Sequence, residues 1–319
     1  MVRYLGFACM TVEPPRTTNH SFRLKNLTEE HARAYAERNV DDLEAILLWM
    51  LPYERLRCFR IGSQLVPFAS HERFVWDWAP WIGERLRTIG ARFLPLGFRF
   101  SMHPGQYTVL NGPDEQIYAR SLREVRYSIR VLELLGAQER EHGVVLHIGG
   151  VYGDKSESLR RLSQRLLELP EEERRRLALE NDERLYTIAD VVSLCEETGT
   201  LPIWDAHHHR LNPTTEPLSE LMARLYALWE GRVPEVHLSS QRPDGPPGAH
   251  AEGILAEDLA WLLERLPAPA DLMLEAKSKE RAALQVAEWL DAWGAWAYED
   301  HLLPNHSQST STSPTIAKP

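Results

Sequence analysis

Cysteine is scarce. Cys9, Cys58 and Cys195 are the only three among 319 residues, and none stands in a CxxC pair. An odd, scattered set excludes a disulfide framework and a cysteine-built zinc site, and predicts reduced, mostly buried thiols. Long apolar runs are missing too, with none approaching the roughly 20 residues that a bilayer-spanning helix needs. The opening Met1-Val2-Arg3-Tyr4 has neither the basic stretch nor the apolar core of a secretory signal; the expected location is cytoplasmic, with no membrane partner. Positive charge is in deficit, with 36 Lys and Arg against 46 Asp and Glu for a net −10. That is the wrong sign for gripping nucleic acid by bulk electrostatics. The objection weakens if several carboxylates hold divalent cations, because bound ions dominate the local field. No internal repeat of fixed period is present.

What is present is a rhythm. With 43% hydrophobic residues, the chain is long enough for one large domain or two ordinary ones. Short apolar runs bounded by turn residues recur at Tyr4 to Thr11, Leu56 to Gly62, Arg99 to His103, Val144 to Ile148, Leu177 to Glu180, Leu201 to Asp205, Glu235 to Ser239 and Leu272 to Glu275. Between them lie helical patterns such as Leu27 to Leu51, Asp114 to Leu135, Ser156 to Leu169 and Thr187 to Thr198. Strands separated by single helices imply parallel pairing through right-handed crossovers, and eight such units suit an α/β fold of the (β/α)8 TIM-barrel type. Thr28 reads as a helix cap, and Gly136 and Gly199 as helix stops. Trp289, Trp293 and Trp296, spaced four and three apart, read as the buried face of a last helix. The expectation is one barrel domain over residues 1–296, acting as a monomer, followed by a disordered Ser/Thr/Pro-rich tail over 297–319.

The chemistry gathers at the ends of the strands. Successive runs close on His103, His147, Glu180 and Asp205 with His207-His208-His209, then Glu235 with His237, then Glu275. In a barrel those carboxyl ends converge on one mouth, where active sites lie. Any one histidine at a strand end is more often structural than a ligand, but imidazoles and acids closing six successive strands are the ligand set for Zn, Mn or Fe. Their number suggests two or three ions. A shared carboxylate holds such ions about 3.5–4 Å apart, and Glu180 is the candidate bridge. One or two of the three adjacent histidines are expected to bind, since neighbours on an extended chain cannot all point one way. Asn181, Asp182 and Glu183 are read either as a helix cap or as groups supporting the ligands.

At these residues the sequence resembles the ultraviolet damage endonuclease family. The resemblance runs through His103-Pro104-Gly105-Gln106-Tyr107, Leu179 to Arg184, Asp205 to His209 and Glu275 to Glu280, with further matches at Phe59-Arg60-Ile61-Gly62, Pro67 to His71, His147 to Gly150 and His237-Leu238-Ser239. It implies a barrel related to endonuclease IV that carries a divalent metal cluster, most often manganese with zinc as the alternative. It also implies that double-stranded DNA containing UV lesions is nicked 5′ to the photoproduct, with abasic sites as a further substrate. By the same resemblance the ligands are His103, His147, Glu180, Asp205, His208, His237, His250 and Glu275. Glu235 replaces a lysine of some relatives that can be a carbamylated ligand, and could serve in its place. His71, Lys277 and Glu180 are the expected catalytic residues; Gln106, Tyr107 and Phe7 are the expected lesion contacts, Phe7 keeping the aromatic face, without the hydroxyl, of a tyrosine that the resemblance implies at this position.

A Gln-Tyr pair on a loop could wedge into a stack weakened by a lesion while the distorted nucleotides are extruded. Alternatively, Pro104-Gly105 makes a turn and Tyr107 packs beneath it. Lys155, Lys277, Lys279 and Arg242 follow expected strand ends and could steady phosphates. The sequence is also compatible with three other functions: an endonuclease confined to abasic sites, a metal-dependent sugar isomerase or epimerase, which the acidic charge suits, and a DNA-binding module without catalysis.

Overall fold

The computed structural model describes residues 1–297. Eight parallel strands close into a barrel: β1 (Val2–Ala8), β2 (Leu56–Ile61), β3 (Arg99–Met102), β4 (Val144–His147), β5 (Leu177–Glu180), β6 (Leu201–Asp205), β7 (Glu235–Leu238) and β8 (Ala270–Leu274), the last pairing back onto β1. Each is followed by a helix on the outside: α1 (Glu29–Met50), α2 (Ala79–Phe93), α3 (Glu115–Leu134), α4 (Lys155–Glu168), α5 (Ile188–Thr198), α6 (Leu218–Leu228), α7 (Ala256–Leu263) and α8 (Glu280–Trp293). The expected TIM barrel is therefore the fold, with the strands Leu177–Glu180 and Leu201–Asp205 at their expected bounds and the others shifted by one to three residues at the ends. A two-stranded hairpin pairs Met10–Thr11 with Arg16–Thr17 above β1, so the first apolar run divides at Cys9. Among the described residues no helix is long and apolar enough to cross a membrane. Except for Ala297, whose N–H donates to the Val2 carbonyl, the expected tail lies outside the described residues.

Local chemistry explains the boundaries. Thr28 Oγ1 accepts from the His31 N–H at the start of α1. A reciprocal capping box joins Thr187 and Asp190 at the start of α5, whose far end closes at Gly199 with φ of 74°; that left-handed backbone favours glycine. On α8 the buried line is Ala282, Ala283, Val286 and Leu290, whereas Trp289 and Trp293 stack half-buried beside it and Trp296 lies past the helix. The tryptophan expectation is corrected accordingly: the ridge that meets the barrel is built of smaller residues one position away.

Parity along the strands decides which residues enter the lumen. Phe7 and Phe59 point outward and meet edge-on, with Trp49 of α1 closing over Phe7. Inward go Cys58 and Arg60, Arg99 and Ser101, Glu235 and His237, Asp271 and Glu275. The lumen therefore holds an ion-pair column where hydrocarbon layers are usual. From the closed end it runs Arg3 to Asp271 (2.8 Å), Asp271 to Arg99 (2.9 Å), Arg99 to Glu235 (3.2 Å) and Glu235 to His237 (3.1 Å).

Candidate metal centre

At the mouth the column opens into a cage. Parallel register sets His147 beside Glu180 and Asp205 beside His237, so the strands themselves align the acids and imidazoles. Three groups have ligand-type atoms within 4.8 Å of one another: His103, His147 and Glu180; Glu180, His237 and Glu275; and Glu180, Asp205 and His208. Glu180 belongs to all three. Its Oε1 lies 2.8 Å from His237 Nδ1 and its Oε2 3.1 Å from His103 Nε2. His250 stands at the rim, its Nε2 3.7 Å from Glu275 Oε2.

The acids and bases hold one another in charged forms. Burial opposes ionisation of Glu180, but His237 and His147 outweigh it and hold the carboxyl well below the usual range. For His237 burial is likewise overcome, chiefly by Glu180, and its pKa rises to about 10. Asp205 moves the other way, to about 6, because burial outweighs its attraction to His208. The buried Asp205 Oδ2 and His147 Nδ1 have no hydrogen-bond partner among the described residues. Buried, unpaired ligand-type atoms on residues of these groups fit divalent transition ions, which would satisfy such atoms.

Surrounding groups orient this set. Asn181 brackets the backbone of Asp205, donating to its carbonyl at 3.0 Å and accepting from its N–H at 2.9 Å. Asp182 instead accepts from the N–H groups of Arg184, Leu185 and Tyr186, shaping the loop before α5. The Asp205 side chain also caps a short helix, Ala206–Leu211. That helix turns His208 into the cage, sends His207 toward His250 and packs His209 against Trp204 and Trp261. Arg60, which sequence spacing did not single out as a site residue, is buried among the ligand candidates, paired with Glu275 and 2.7 Å from His237 Nε2. Its signals were an arginine inside a strand pattern and its place in the matched segment Phe59-Arg60-Ile61-Gly62.

Several expected site residues fall elsewhere. Glu235 is in none of the three groups; it lies a layer deeper, its carboxylate engaged by Arg99 and His237 and held ionised to a pKa of about 2 despite burial. Phe7 is fully buried in the outer layer; parity turns it away from the mouth, which corrects its expected contact with DNA. His71 sits on the loop after β2, its Nδ1 accepting from the Arg73 N–H and its ring against Phe68. Lys277 reaches Glu252 at 3.6 Å and Lys155 reaches Asp190 at 2.7 Å, so both have carboxylate partners within the chain.

Gln106 and Tyr107 occupy the exposed tip of a turn closed by Thr108 N–H to Gly105 C=O at 2.8 Å. Tyr107 is 82% exposed, which rules out the alternative that it packs beneath the loop. The foot of this loop is clamped. Arg165 of α4 donates to the carbonyls of Leu110 and Gly112, and Asn111 donates to the Gly150 carbonyl at 2.7 Å.

The model of a family described as UV-endonuclease UvdE matches residues 3–295. A UV DNA damage endonuclease of Bacillus velezensis is 34% identical over 240 residues, spanning 73% of this chain and 75% of the relative. One of Clostridium perfringens is 30% identical over 286 residues, spanning 88% and 69%. The crystal structure of SacUVDE superposes with a TM-score of 0.86 at 29% identity, covering 92% of this chain and 99% of that one. An L-ribulose 3-epimerase superposes at 0.54 with 17% identity, covering 91% and 87%, a likeness of fold alone.

Proposed function

Since the chain belongs to the UV-endonuclease UvdE family, we propose that it is a metal-dependent DNA repair endonuclease that hydrolyses the phosphodiester bond 5′ to ultraviolet photoproducts in duplex DNA, and also acts at abasic sites. The observation that carries this reading is the common membership of Glu180 in three overlapping ligand groups, the arrangement a multi-ion phosphodiesterase needs. The reading takes residues 1–296 as one catalytic domain.

His103, His147, Glu180, Asp205, His208, His237, His250 and Glu275 would hold two or three ions, with manganese the first choice. When bound, such ions supply an activated water and screen the charge that grows on the phosphate and the departing 3′ oxygen. Glu180 keeps the ligand groups contiguous. Glu235 acts through His237, fixing the imidazole whose other nitrogen faces Glu180, as carboxylates behind metal-bound histidines do. Arg60 balances Glu275 while leaving the second carboxylate oxygen free. The Gln106–Tyr107 tip projects past the cage, where a stiff ring and an amide can enter a stack loosened by a lesion. His71 and Lys277, at the rim, are assigned to the DNA backbone.

The test is nicking of irradiated against untreated supercoiled plasmid, after elemental analysis of the purified protein and with added manganese, beside an abasic duplex and a panel of ketosugars. Preferential nicking of irradiated plasmid is expected, with Glu180→Gln losing it by more than about 100-fold while damaged-DNA binding partly survives. Epimerisation without nicking, or normal turnover by Glu180→Gln, overturns the reading.

A further inference from the structure

Tyr152 breaks a local rule. It lies on the loop between β4 and α4, and the Asp154 N–H donates to the Val151 carbonyl at 3.0 Å, which closes a turn around Tyr152 and Gly153. Both central residues have positive φ, 46° and 90°. That is the pattern of primed turns, where Gly, Asn and Asp are preferred and a bulky side chain is strained. The fold gains little from tyrosine here: the hydroxyl makes no hydrogen bond among the described residues, and the side chain is 48% exposed.

Its surroundings are nonetheless shaped to the ring. A Cβ on Gly150 would come within 3.0–3.1 Å of the ring atoms, and one on Gly112 within 3.2 Å of the phenol oxygen. Gly112 belongs to the foot of the Gln106–Tyr107 loop, clamped by Arg165 and Asn111. The ring is thus propped on two glycine backbones at the barrel rim, five residues beyond His147. Tyr107, by contrast, is an unsupported tip. Strain kept at a solvent-facing position beside a site points to use there.

We propose that the open face of Tyr152 is a fixed stacking surface for a nucleobase released from the helical stack when the duplex is opened at the mouth. The inference rests on the proposed action on DNA and adds to it a second aromatic contact, rigid where Tyr107 is free. An aromatic face suits any base and carries no charge, so its contribution is independent of sequence and adds nothing to the release of counterions.

The experiment measures binding of the manganese-loaded protein to a fluorescent duplex carrying one photodimer, across a series of salt concentrations, with thermal melting in parallel. Tyr152→Asn keeps a residue that tolerates the backbone and removes the ring; affinity should fall about 5- to 100-fold, with unchanged salt slope and a melting temperature equal to or above that of the parent. Tyr152→Phe should bind within about twofold of the parent, and Tyr152→Gly should repeat the Asn result should that variant fold poorly. Parent-like affinity in both Asn and Gly variants overturns the proposal, as does a salt slope reduced by one phosphate contact or a loss of affinity that tracks a loss of stability. Failure of the parent itself to bind either damaged or intact duplex instead sinks the functional reading on which the proposal rests.

Discussion

Glu235 stands two residues before His237 on the same face of β7, and its Oε1 lies 3.1 Å from His237 Nε2 while its Oε2 lies 3.2 Å from Arg99. The carboxylate joins the lumen column to the candidate metal centre. His237 Nδ1 faces Glu180 at the other side of the ring, so the tilt of that imidazole is set from below.

Glu235→Gln should therefore weaken two properties together. Manganese affinity is expected to drop about 10- to 100-fold. Stability should fall toward the roughly 3–5 kcal/mol that accompanies loss of one partner from a buried ion pair. Calorimetric titration with manganese and urea denaturation of the metal-free protein measure the two effects. Unchanged metal affinity would count against a positioning role.

Asn181 supports Asp205 only through backbone hydrogen bonds. In Asn181→Ala the Asp205 N–H loses its amide acceptor, at a cost of about 1–3 kcal/mol, while its carbonyl keeps the bond of the helix it caps, and metal affinity should decline by about 10-fold or more. Excess manganese should restore most of the nicking rate, since every ligand candidate is still present. Failure of such rescue would mean that Asn181 acts in some other way.

Phe7 and Tyr107 give opposite expectations. Phe7→Ala empties a closed aromatic cluster and should cost about 3–5 kcal/mol without altering the preference for damaged over intact DNA. Tyr107→Ala should leave the melting temperature unchanged and erode that preference. Paired melting curves and nicking ratios separate the two, and a stable Phe7→Ala protein that no longer discriminates damage would restore Phe7 to the DNA surface.

His142 lies beneath the barrel, where burial, reinforced by Arg99 and Arg176, lowers its pKa to about 3; its Nδ1 accepts from the Phe100 N–H at 3.1 Å. A folded-state pKa below the unfolded value of about 6.5 means that the contribution is complete above pH 6.5 and is lost as pH falls toward 3. The slope is about 1.4 kcal/mol per pH unit. His142→Asn, whose amide oxygen can accept the same N–H, should flatten this part of the stability curve between pH 6.5 and 4. Parallel curves for the two proteins would refute the assignment.

The barrel was legible because each strand is a short apolar run and because His103, His147, Glu180, Asp205, His237 and Glu275 stand at or beside strand ends. Depth and parity were less legible. Spacing puts Glu235 and His237 on one face but does not say which layer reaches the mouth, and Phe7 differs from an inward residue by a single position. Arg60 was hidden for another reason: a buried guanidinium is tolerated only against Glu275 and Glu235, neighbours that are distant in sequence. Tyr152 could not be found from its identity at all, since what distinguishes it is a backbone angle.

The lumen column begins at Arg3, on the first strand and at the closed end of the barrel. The protein's N-terminal edge is thereby in electrostatic register with its working rim, through Asp271, Arg99 and Glu235 in turn. A fusion partner or truncation that disturbs Arg3 would leave the buried Asp271 to Arg99 alone, so the end most often chosen for affinity handles is not a neutral place to attach one.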